Sequence, residues 1–101
     1  MRIEILYIEG CPHFQPTVDA VKAVLRQFDL TGPMIETKVE GHDMAAKERS
    51  IGSPTVRING QDIEPAARQR TVYGIMCRRY GEGGVPSESL IRSAITEVRE
   101  P

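Results

Sequence analysis

Long apolar runs are missing from this chain. No stretch approaches the ~20 residues that a membrane span requires. The first ten residues, MRIEILYIEG, are too short for a secretory signal and are interrupted by Glu4 and Glu9. The expectation is therefore a cytoplasmic protein. An excess of basic charge is missing too. Thirteen Lys and Arg against 14 Asp and Glu leave a net charge of −1, which excludes a general nucleic-acid binder, basic as a whole. Cysteine is scarce, with two in 101 residues. That is too few for a disulfide scaffold, and a chain of this size builds a hydrophobic core without one. The first cysteine has no second beside it. Cys11-Pro12-His13-Phe14 carries phenylalanine where a dithiol motif carries cysteine, so dithiol turnover within the motif is excluded. There is no internal repeat, low-complexity tract or linker, and residues 1–101 read as one domain.

What is present is an alternation of strand and helix patterns. Residues 2–8 (RIEILYI) end fully apolar, as expected of a strand covered on both faces. Gly10 breaks the run. Over residues 12–29, Phe14, Val18, Val21, Leu25 and Phe28 recur at helical spacing on one face. Pro16 is expected to kink this helix near its start. Gly32-Pro33 is a turn, and residues 34–39 alternate with Ile35, Thr37 and Val39 on one face, a second strand. Residues 41–51 read as a short helix ending at Gly52, and residues 54–58 as a third strand. Asn59-Gly60 is a strong hairpin signal. The fourth strand begins at Asp62 or lies around residues 75–80; the pattern admits both. Residues 87–98 close the chain as a helix, with Leu90, Ile91, Ala94, Ile95 and Val98 toward the core and Pro86 or Ser87 as its start signal. The order is β-α-β-α-β-β-α, an α/β four-stranded mixed sheet flanked by helices.

Cys11 follows the first strand and precedes the first helix. Unpaired N–H groups and the positive end of the helix dipole favour thiolate there, the form that attacks disulfides and binds soft metals. The bland alternative is a small inert side chain at a strand end. His13, two residues on, would add positive charge when protonated, or is simply a polar residue of a first helical turn. Phe14 begins the apolar stripe and reads as core. Cys77 is the second thiol, within Y-G-I-M-C-R-R-Y. It reads as a resolving partner, a co-ligand, or a core cysteine beside Ile75 and Met76. Residues 65–81 hold Arg68, Arg70, Arg78 and Arg79 and no acid. Such a run is a solvated face, or a patch that lowers a thiol pKa or holds the carboxylates of glutathione. Gly81-Glu82-Gly83-Gly84 lacks the spacing of a phosphate-binding loop. No metal-ligand spacing links Cys11, His13, His42 and Cys77.

With E-G-C-P-H-F at 9–14, G-S-P-T-V-R-I-N-G at 52–60, D-I-E-P at 62–65, Y-G-I-M-C-R-R-Y at 73–80 and G-G-V-P at 83–86, the chain resembles the thioredoxin superfamily over nearly its whole length. More narrowly, it is similar to short bacterial thioredoxin-like proteins, some of which carry an organomercurial-lyase label. The catalytic cysteine and aspartate pattern of true organomercurial lyases is absent. The resemblance implies a cis Ser53–Pro54 bond beside the active thiol, presenting backbone polar groups to a bound thiol substrate. It implies a thiolate-stabilising His13, since C-P-H also begins the motif of periplasmic disulfide oxidases. It implies glutathione contacts at Gly83 and Gly84, as in the Gly-Gly turn of glutaredoxins. The expected catalytic residues are Cys11, His13, Pro54 and Cys77, with Ser53, Arg78, Gly83 and Gly84 binding substrate. The expected activity is monothiol thiol–disulfide exchange with a protein or glutathione partner. It needs no bound cofactor, and glutathione would be a co-substrate. The alternatives are a mercury-type soft-metal site at Cys11 and Cys77, and a non-catalytic binding module. Neither nucleic acid nor membrane is expected as a partner.

Overall fold

A computed structural model describes residues 1–30, 32–80 and 83–99. The first apolar run forms β1 (Ile3–Tyr7), and the helical stripe after it forms α1 (Phe14–Gln27). Then follow β2 (Met34–Lys38), α2 (His42–Glu48), β3 (Thr55–Ile58), β4 (Gln61–Asp62) and α3 (Glu88–Arg99), with a short 3-10 turn at Pro65–Ala67 between the last two. The strands lie in the order β2-β1-β3-β4. β1 runs parallel to β2 and antiparallel to β3, and β3 runs antiparallel to β4.

β1 is central because both its faces are apolar. Ile3 and Ile5 join α1, β3 and α3 in the larger core, with Val18, Val21, Ile91 and Ile95. Leu6, one register position away, points to the other face with Val39 and Ala45, under α2. Full burial of each such side chain contributes about 1.5–3 kcal/mol. β2 is an edge strand, and its Ile35 is exposed.

Several local expectations change. α1 starts at Phe14 and places Pro16 third in the helix. The first four N–H groups of a helix have no partner within it, so Pro16 removes no ladder bond there. α2 is closed by Arg49 in the left-handed conformation (φ 56°), with the Ser50 N–H bonded to the Ala45 carbonyl, rather than by Gly52. Gly52 serves a close approach instead: a Cβ there would stand 2.8 Å from the Arg78 Cβ. Both positions of the Asn59-Gly60 turn have positive φ, as a tight hairpin requires. Ser87 caps α3 through its hydroxyl, which accepts the Leu90 N–H. The fourth strand begins at Gln61, yet Cys77 also pairs with Ser53 as an isolated parallel bridge. Both candidate segments thus lie against β3 or its approach.

Among the described residues, no helix is long and apolar enough to cross a membrane.

Candidate functional site

β1 ends at Tyr7, and its chain turns tightly before α1 begins. The Cys11 N–H donates to the Ile8 carbonyl (3.2 Å), and the Cys11 carbonyl accepts the Phe14 N–H (3.3 Å). Cys11 is a half-exposed free thiol in this turn. It lies three residues ahead of the helix, and no side chain caps α1, so Cys11 is a turn residue and not the immediate neighbour of a helix starting at residue 12, as the sequence suggested. Phe14 stacks on Tyr7 with ring centroids 3.8 Å apart and planes 20° apart, besides packing against the core.

The Ser53–Pro54 peptide is cis, the isomer that the resemblance implies. Ser53 is buried, and its hydroxyl accepts the Ile8 N–H at 3.0 Å. Ile8 therefore touches both sides of the site, holding the Cys11 turn by its carbonyl and Ser53 by its amide. The expected presentation of backbone polar groups to a substrate is not what this segment displays. The Ser53 N–H donates to the Met76 carbonyl (2.9 Å), and the Ser53 carbonyl accepts the Arg78 N–H (2.8 Å). The Pro54 carbonyl accepts the Tyr80 hydroxyl at 2.8 Å, and Pro54 itself is fully buried. The chain's own 76–80 segment occupies these groups.

That segment carries Cys77 alongside Ser53. Cys77 is exposed, and so are its neighbours Ile75 and Met76. The core-cysteine reading of the sequence is corrected accordingly. The two thiols thus belong to segments anchored on the same residue, Ser53, one through Ile8 and one directly.

His13 is half-buried, and Gly84 lies against its ring: a Cβ at Gly84 would stand 2.2 Å from His13 Cδ2. Gly83 is exposed and bridges Tyr80. Gly81 and Glu82 lie outside the described residues. Beside Ile8, an opening of about 300 Å³ is lined by Glu9, Lys38, Val39, Glu40, Gly41 and Ile75.

Arg78 departs most from expectation. It is 3% exposed, with Nη1 2.6 Å from Asp62 Oδ2, Nη2 2.8 Å from Asp62 Oδ1 and Nη2 3.2 Å from Glu64. Its guanidinium lies over the Tyr80 ring at 4.2 Å. Burial is the largest influence and works against the charge, but Asp62, Tyr80 and Glu64 together outweigh it, and the Arg78 pKa is raised. Neither a solvated face nor a substrate-binding cation fits this position. Arg68 and Arg70 pair with Glu97 and Glu64. Sequence reasoning missed Ile8, Tyr7, Tyr80 and the Asp62–Glu64 pair. The i, i+2 acids in D-I-E-P, on one side of an extended segment, were the available signal for the last.

Among the described residues, no group of three or more His, Cys, Asp or Glu is arranged to hold a metal ion. Compared with family models, curated proteins and solved structures, the chain matches none.

Proposed function

We propose that this chain is a thioredoxin-fold thiol protein that exchanges disulfides through Cys11. The observation that carries the reading is the placement of Cys11. It is a free thiol in the β1–α1 turn, tied through Ile8 to Ser53 at the start of a cis prolyl bond. The strand order and the alternation of helices support the same reading.

In the first step the Cys11 thiolate attacks one sulfur of a partner disulfide. The partner S–S bond breaks, a Cys11–partner disulfide forms, and the other partner sulfur leaves as a thiolate that takes a proton from water. Glutathione then attacks the partner sulfur of the mixed disulfide, forming a glutathione–partner disulfide and releasing Cys11 as the thiolate. Alternatively, the Cys77 thiolate attacks the Cys11 sulfur, forming a Cys11–Cys77 disulfide and releasing the partner as a thiolate. The protein undergoes no net oxidation when glutathione resolves. When Cys77 resolves, the chain keeps the two oxidising equivalents as an internal disulfide until an external thiol reduces it.

The test is intact-mass analysis after exposure to glutathione disulfide. The expected result is one glutathione adduct that maps to Cys11, in the parent where the resolving thiol is external or in Cys77→Ser where it is Cys77, and that disappears in Cys11→Ser. An adduct confined to Cys77, with Cys11 unmodified, would overturn the proposal. Accumulation of the Cys11 adduct in Cys77→Ser but not in the parent identifies Cys77 as the resolving thiol.

A further inference from the structure

On the α2 side of the sheet, an open groove of about 510 Å³ runs from the end of α2 to the β3–β4 turn. Its lining includes none of Cys11, His13, Ser53, Pro54 or Cys77. Five cations line it: Lys47, Arg49, Arg57, Arg68 and Arg70. They come from the last turn of α2, the residue that closes it, the middle of β3 and the segment after the 3-10 turn. A solvated charge run is local in sequence; these cations are brought together only by the fold.

Their neutralisation is incomplete. Two carboxylates line the groove, those of Glu48 and Asp62. Both Asp62 oxygens are engaged by the buried Arg78. Arg68 is paired with Glu97 at 2.8 Å, and Arg70 reaches Glu64 only at 3.8 Å, a carboxylate that Arg78 also engages. Among the described residues, Lys47, Arg49 and Arg57 have no carboxylate partner, and Arg57 donates instead to the Arg49 backbone carbonyl. That bond holds the Arg57 guanidinium beside residue 49. A chain of net charge −1 thus gathers uncompensated positive charge in one concave place, where low-dielectric walls strengthen its pull on anions.

We propose that this groove binds a small anion with closely spaced phosphate oxygens, of the diphosphate type. A single carboxylate satisfies one guanidinium fork. Three or more cations converging from separate segments call for several oxyanion groups on one short ligand, and guanidinium geometry matches phosphate. The volume is that of a small-molecule site, and Tyr73 is part of the lining. The groove shares no lining residue with the thiol site.

The test is an amide-shift titration of the whole chain with inorganic pyrophosphate at low ionic strength. Expected are saturable shifts confined to residues 47–51, 57–62 and 67–73. The Lys47→Gln/Arg49→Gln double variant should bind at least about tenfold more weakly, as loss of charge-assisted contacts requires. Both side chains are exposed, so the fold is kept, and an unchanged amide spectrum in the absence of ligand checks this. A parallel titration with citrate separates phosphate from carboxylate chemistry. The proposal is overturned by an absence of saturable shifts, by shifts centred on Cys11 and His13, by equal affinity in the double variant, or by citrate binding as tightly as pyrophosphate.

Discussion

The His13 ring packs against Gly84, so close that a methyl group at position 84 would overlap its Cδ2, Nε2 and Cγ atoms. Two segments 71 positions apart in sequence meet there, and the glycine sets where the imidazole of the C-P-H-F motif sits. Gly84→Ala is expected to push the ring aside and to lower stability by about 1–3 kcal/mol, the usual consequence of overpacking. Histidine ring shifts in NMR spectra and a urea titration check it. An unmoved ring would mean that the backbone at Gly84 yields instead.

Ser53 tests the anchor shared by both thiol segments. Ser53→Ala removes the acceptor of the part-buried Ile8 N–H, at a cost of about 0.5–1.5 kcal/mol, the net worth of a typical hydrogen bond. Hydrogen exchange at the Ile8 and Cys11 amides should accelerate beyond what the global loss explains. Uniform acceleration across all strands would show that Ser53 acts only through overall stability.

Asp62 tests the buried charge. Asp62→Asn leaves the Arg78 guanidinium inside the protein with only Glu64 as a charged acceptor, and its buried Nε already lacks a partner. Breaking a buried pair costs about 3–5 kcal/mol, against about 0–1 kcal/mol for the more exposed Arg68–Glu97 pair in Glu97→Gln. Denaturation of the two variants side by side decides it, and equal losses would contradict the burial argument.

Tyr80 makes stability depend on alkaline pH. Burial raises the pKa of its phenol. Above the ordinary tyrosine value of about 10, the unfolded chain releases a proton that the folded chain keeps. Stability is therefore fully present below about pH 10 and falls as pH rises further. Tyr80→Phe should be less stable at neutral pH by about 1 kcal/mol, through loss of the bond to Pro54. The gap to the parent should close on going alkaline. Parallel pH slopes for the two proteins would exclude the effect.

Most of the scaffold was legible in the sequence, because its signals are local. The periodicity of Val18, Val21 and Leu25 and the turn chemistry of Asn59-Gly60 act within a few residues. What failed was nonlocal. Arg78 reads as one of a basic run, since the acids that bury it stand at positions 62 and 64. Cys77 reads as core because Ile75 and Met76 flank it, yet that stretch touches the sheet only at its margin, beside Ser53. The helix boundary at Cys11 shifted because the turn uses backbone bonds from Ile8 to Phe14 that no residue type announces. The groove around Lys47, Arg49 and Arg57 had no sequence signature at all, since its cations converge only in three dimensions.

The stacked rings of Tyr7 and Phe14 have a mechanical consequence. They act as a clasp across the base of residues 8–13, turning the stretch that holds Cys11 into a small closed loop. A loop so short has little slack, since each residue spans at most about 3.3–3.6 Å. The stack and the Ile8–Cys11 and Cys11–Phe14 backbone bonds therefore keep the Cys11 backbone close to the end of β1. Under the proposed exchange reaction, a partner would have to bring its own sulfur to that end of the strand, so access, rather than reach, would decide which disulfides this thiol meets.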